Sequence, residues 1–142
     1  MERKCVVIEL RTVIEYDRKK EMSIIKQRGT YIRKQATEII TFTEKRDDIG
    51  NIRNFITIQP KRVSIKRSGA VSMNQQFQVG KKSESLYRHP YGSIHFLMKT
   101  KSLRRTLLSP FEKGEIVITY EALINGIEKQ RHHLTLTFTE EN

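Results

Sequence analysis

Tryptophan is absent, cysteine occurs once and proline three times among these 142 residues, and each scarcity removes a class of protein from consideration. With Cys5 alone no internal disulfide can form, so a disulfide-stapled secreted domain is excluded and a reducing compartment is expected. No run of about 18 uncharged apolar residues occurs, which excludes a membrane-spanning helix. The start, Met1-Glu2-Arg3-Lys4, imitates the basic head of a signal peptide, but the apolar run behind it is broken at Glu9 and Arg11. No leader is expected to be cleaved, and a cytoplasmic address is the simplest expectation. Low-complexity and proline-rich stretches are also missing. With 37% apolar and 30% charged residues the chain is expected to fold, as a single domain over residues 1–142.

Acidic residues are the minority: 16 Asp and Glu stand against 27 Lys and Arg, leaving a net charge of +11. Such a surplus attracts polyanions, whether nucleic acid, acidic lipid or an acidic protein. The cations come in short, scattered clusters, at Arg18-Lys19-Lys20, Lys61-Arg62, Lys66-Arg67, Lys81-Lys82, Arg104-Arg105 and Lys129-Gln130-Arg131. Lysines so placed also protect exposed strand edges, and no recognisable RNA or DNA motif accompanies them.

What the chain does contain is period-two alternation. Ile8, Leu10, Thr12, Ile14 and Tyr16 share one strand face, with Glu9, Arg11 and Glu15 on the other. After a polar turn at Asp17 to Lys20, extended runs are expected over 22–34, where Gly29 suggests a bulge or sharp coil, and over 36–45. Shorter strands follow over 52–59, 63–67, 70–78, 83–89 and 93–100, separated by breaks rich in Gly, Pro, Ser and Asp. The last two, over 115–124 and 128–139, flank Asn125-Gly126, a pair suited to a type I′ hairpin turn. Only 102–111 departs from the pattern: Leu103, Leu107 and Leu108 are spaced for a short helical turn or an irregular loop. About ten candidate strands at roughly 8–12 residue spacing predict an all-β sandwich or barrel. Long first and last strands favour closure, so the expected fold is a single antiparallel β-barrel of about eight to ten strands.

The block Arg67-Ser68-Gly69-Ala70-Val71-Ser72-Met73-Asn74-Gln75-Gln76-Phe77-Gln78-Val79-Gly80, with Tyr87, Pro90-Tyr91-Gly92, Thr100, Gly114, Tyr120 and Asn125-Gly126, resembles the YwiB-like family of bacterial proteins. That resemblance covers nearly the whole chain and implies a calycin-like, lipocalin-like barrel. It implies no activity. His89 stands where the family pattern has threonine, and Gln78 where an acidic residue often follows the phenylalanine. Without tryptophan the chain also lacks the Gly-x-Trp signature of true lipocalins, so secreted transport is not implied.

Catalytic and metal-binding patterns are scarce. None of His89, His95, His132 and His133 stands at a metal-ligand spacing from a second histidine or cysteine, and His132 and His133 must face opposite sides of a strand. Barrel-surface or barrel-end positions are expected for them. There is no nucleophile elbow and no phosphate-cradling loop, Cys5 lacks a nearby histidine in sequence, and the acids mostly fall on solvent phases or in turns. No catalytic residue, metal site or cofactor is assigned, and an enzyme is not expected.

Polar residues in phase with apolar ones are more informative. Arg67 follows Val63 and Ile65; Gln75 shares a face with Val71, Met73 and Phe77; Thr100 follows Ile94, Phe96 and Met98; Tyr87 and His89 follow Ser83 and Ser85. A polar cluster of Arg67, Gln75, Tyr87 and Thr100 is therefore expected at the mouth or floor of an apolar lumen. An inward guanidinium is costly unless paired, so either protein groups plug the barrel there or a bound anion satisfies it. Phe42, Phe77, Phe96, Tyr120 and Phe138 are expected in the core, whereas Tyr91, in the Pro90-Gly92 turn, is a candidate surface contact. Two functions are consistent with this sequence: a non-catalytic module taking a small apolar or amphipathic, even anionic, ligand inside the barrel, or a basic surface for nucleic acid or an acidic protein.

Overall fold

Alternating side chains give a chain one oily face and one wet face per strand, and such strands bury the oily face by curling into a tube. In the computed structural model, which describes residues 2–108 and 113–141, ten strands do this. They are β1 (Glu2–Tyr16), β2 (Lys19–Lys34), β3 (Thr37–Glu44), β4 (Ile52–Ile58), β5 (Val63–Gly69), β6 (Met73–Phe77), β7 (Lys82–His89), β8 (Gly92–Thr106), β9 (Lys113–Ile124) and β10 (Glu128–Glu140). All belong to one antiparallel sheet in the order β6-β5-β4-β3-β2-β1-β10-β9-β8-β7. The chain's first and last strands pair from Val6↔Glu140 to Glu15↔Arg131, joining two meanders into one wall.

The wall almost closes. Just ahead of β6, Ser72 exchanges backbone hydrogen bonds with Arg88 of β7, at 3.0 and 2.8 Å, and the Ser83 hydroxyl donates to the Gln76 carbonyl at 2.9 Å. Elsewhere neighbouring strands share full ladders; along this seam they are merely stitched. Among the described residues no helix is long and apolar enough to cross a membrane.

Inside, the inward phase of nearly every strand meets in one core that includes Val6, Ile8, Tyr31, Ile40, Ile56, Ile58, Phe77, Met98, Ile116, Ile118 and Phe138, all at most 1% exposed. Phe42 and Tyr120 are buried with them, and Phe96 packs partly buried against the cluster. The Asn125-Gly126 turn has the two positive φ angles (51° and 73°) that a type I′ hairpin demands. Asp17 and Arg18 do the same at 45° and 62°, so the β1–β2 hairpin is longer and tighter than the polar turn over 17–20 suggested.

Two expectations need correction. Gly29 is no bulge, since its pairing with Val6 and Phe42 is unbroken. A Cβ there would strike the Ile8 side chain and the Thr41 carbonyl, so glycine serves close approach of neighbouring strands. Nor do residues 102–106 form a helical turn: β8 continues to Thr106 past a register shift between Thr100 and Ser102. One extra residue flips the alternation, so Leu103 and Arg105 turn inward where Ile94, Phe96, Met98 and Thr100 did before it. Leu107 and Leu108 follow as non-helical chain, and the remainder of that expected turn, 109–111, lies outside the described residues.

Candidate functional site

Inward polar residues gather at the two ends of the barrel. At the end formed by the close of β3, β5, β7 and β9, Arg67 points inward with its side chain 22% exposed, as parity predicts. Its Nη2 donates to Glu44 Oε1 at 2.8 Å. Asn54, between them on β4, turns its Nδ2 toward the same oxygen at 3.4 Å, and Arg46 Nη1 approaches the other oxygen at 4.0 Å. Among the described residues the buried Asn54 Oδ1 has no hydrogen-bond partner, nor does the buried Ser85 hydroxyl. Toward the same end, at the start of β8 and the close of β9, Ile94, Phe96 and Ile124 remain only half-buried and give that end an apolar stretch.

Gln75 and Thr100 lie deeper and belong to a different group. Thr100 pairs with Tyr120, which pairs with His132, so three inward side chains run side by side across β8, β9 and β10. Gln75 Nε2 sits 3.4 Å from the Met98 sulfur. The Tyr120 ring stacks on His132 at 4.7 Å and leans on Phe77 at 4.9 Å. Burial pushes the Tyr120 phenol up to about 12, against the opposing effect of Gln75. Tyr87 is half-buried near the rim, its ring 6.0 Å from that of His89. Among the described residues no hydrogen bond joins Arg67, Gln75, Tyr87 and Thr100 to one another, so the expected cluster divides into a rim group and a wall group.

Several inward residues escaped the sequence reading. His132 is not a surface histidine: it is 5% exposed, and its Nε2 is 2.8 Å from Gln130 Oε1. Burial pulls its pKa down to about 4, and neighbouring His133, which does face outward, adds to the effect. Nor do all acids sit in solvent. Glu38, 0% exposed, occupies the opposite end of the barrel and accepts from Tyr31 Oη at 2.6 Å, from Arg105 Nε and Nη2 at 3.2 and 2.9 Å, and from the Leu108 amide at 3.4 Å. Arg105 also caps the Ala36 carbonyl at 2.7 Å. Burial first, then the Glu38 contact, holds the Tyr31 phenol well above its ordinary value. The signal for both acids was present, since Glu38, Ile40, Phe42 and Glu44 share one parity.

Outside, Tyr91 is 86% exposed at its turn, and its amide donates to His89 Nδ1 at 3.1 Å. Two grooves score the outer wall. One runs from the β1–β2 hairpin across β8 to β10 and mixes Arg131, Lys129, Lys99 and Lys82 with Glu15, Asp17 and Glu121. The other, of about 920 Å³, crosses β2 to β5 and is lined by Arg28, Lys45, Arg53 and Lys66 without a carboxylate.

Comparison with known proteins agrees with this architecture. The family described as a domain of unknown function, DUF1934, matches residues 8–136. The chain is 29% identical over 133 residues to the "uncharacterized beta-barrel protein YwiB" of Bacillus subtilis, covering 94% of this chain and 92% of that one. The crystal structure of the ywiB protein from Bacillus subtilis superposes with a TM-score of 0.85 at 28% identity, over 99% of this chain and 94% of the other.

Proposed function

The chain belongs to the DUF1934 family, and from that premise we propose that it is a non-catalytic cytosolic barrel binding a small amphipathic molecule at its Arg67 rim. The observation that carries this reading is Asn54 Oδ1, which lies buried beside Arg67 and Glu44 without a hydrogen-bond partner among the described residues; Ser85 Oγ, on the inward face of β7, is a second such atom. Buried polar groups are nearly always satisfied, and an orphan asks for a guest. A ligand head group with a donor for Asn54 and an acceptor for Arg67 answers that need, while its apolar part covers Phe96, Ile94 and Ile124. Glu44 engages Nη2 of Arg67 and Asp48 engages Arg46 at 3.0 Å, so the rim's two guanidiniums and two carboxylates balance, and an anionic head would meet the remaining nitrogens of Arg67. The deeper lumen is filled by the protein's own side chains, which confines the ligand to the rim. Ser85, with no base bonded to it, is not an activated nucleophile, and the lone Cys5 suits a reducing compartment.

Thermal melting with a graded series of fatty acids and alcohols tests the reading. A bound ligand at about 100 times its Kd stabilises by about 2.7 kcal/mol, and that shift should resist salt. Arg67→Met should abolish the shift with acids and weaken it with alcohols. If no chain length moves the melting point, and native mass spectrometry of fresh protein shows no small adduct, the rim is a structural plug.

A further inference from the structure

The carboxylate-free groove on the outer wall has a composition of its own. Across β3, β4 and β5 the outward phase reads Thr43↔Arg53↔Ser68 in one row and Thr41↔Phe55↔Lys66 in the next. Phe55 is 46% exposed, a large apolar ring on the wet face of a strand, with Lys66 directly opposite and Lys45 beside the groove. Arg28 is engaged by Glu141 at 3.0 Å, but Lys45, Arg53 and Lys66 have no carboxylate partner among the described residues. The mixed-charge groove differs: there Arg131 pairs with Glu15, and Glu121 is engaged by Lys101 from outside the groove.

We propose that this face binds single-stranded nucleic acid, with Phe55 as the platform for a base and Lys45, Arg53 and Lys66 meeting phosphates. Three strand spacings of about 4.8 Å make the surface wide enough for two or three nucleotides. Cations free of internal partners are available to replace condensed counterions, and the flanking Thr43 and Ser68 hydroxyls can donate to phosphate or sugar oxygens. A ring at the centre of the patch offers a base a stacking face, which an acidic peptide does not need. In a duplex the bases are already stacked and cannot lie on Phe55.

Fluorescence anisotropy with a labelled oligothymidylate of about 12 nucleotides reads this directly. The single strand should bind more tightly than a duplex of equal length or polyglutamate, with log K falling against log salt at a slope of about −2. Arg53→Gln or Lys66→Gln should each flatten that slope by about 0.7. Phe55→Ala and Phe55→Leu should weaken binding about fivefold or more while leaving the slope alone; the leucine keeps an apolar side chain there. Lys129→Gln, in the other groove, should change nothing. Equal binding of the duplex, indifference to both Phe55 changes, or an equal loss from Lys129→Gln overturns the proposal. Tighter binding of polyglutamate overturns it in favour of an acidic protein partner.

Discussion

The two ends of this barrel each bury a glutamate from β3, and they treat it differently. Glu38 is enclosed by a phenol, a guanidinium using two nitrogens and a backbone amide, so its oxygens are fully engaged. Glu44 has one short bond to Arg67, one long contact from Asn54 and a distant Arg46, and the Asn54 oxygen has no partner among the described residues. A closed polar network rigidifies a fold, whereas an open one costs stability that a ligand can restore. The first end is a stopper and the second is a socket.

The sharpest way to break that contrast is to remove one carboxylate at a time. Glu38→Gln leaves the Arg105 guanidinium, 12% exposed, without its counter-charge and should cost about 3–5 kcal/mol in urea denaturation. Glu44→Gln should cost less than half as much, because Arg67 reaches solvent. Equal losses at the two ends would mean that both are stoppers.

Titration sharpens the comparison next, because His132 hydrogen-bonds Gln130 near the start of β10, on the socket side. Its folded pKa is depressed to about 4 from 6.5, so between those values the unfolded chain holds more protons. Stability from this group is complete above pH 6.5 and is lost as pH falls toward 4, by up to about 3 kcal/mol. His132→Phe, which preserves a ring against Tyr120, should remove that slope from a pH series of denaturant midpoints.

The smallest effect concerns backbone space. A Cβ on Gly114, at the stopper end, would run into the Phe138 ring, so Gly114→Ala should cost about 1–3 kcal/mol by overpacking. At the socket end a Cβ on Gly126 meets nothing, and Gly126→Ala should cost about 1 kcal/mol through its positive φ alone. Chemical denaturation of the two variants compares them.

Much of the barrel was legible because alternation is a local property. Val63, Ile65, Met73 and Phe77 fall inward as their parity says, and Asn125-Gly126 turns as its dipeptide says. Arg105 was not legible: the extra residue between Thr100 and Ser102 inverts the phase behind it, and no single-strand pattern announces a bulge. The partnership of Arg67 with Glu44 escaped for another reason. Parity tells which way a side chain points but not who waits across the lumen, and these two residues are brought together only when β3, β4 and β5 pair. Phe55 lies within the strand expected over 52–59, and nothing in that strand's own sequence tells of the Lys66 opposite it, which a neighbouring strand supplies.

The stitched junction between β6 and β7 gives the cylinder a preferred parting line. To part the wall anywhere else means unzipping a ladder, but here the short β5–β6 flap is held to β7 by a bridge and a hydroxyl. Ser85 lies on β7, which borders that line, and Asn54 on β4, where the flap is rooted. Local opening is therefore expected to start along that line, and amide exchange should be faster for β6 than for the laddered β1 and β10.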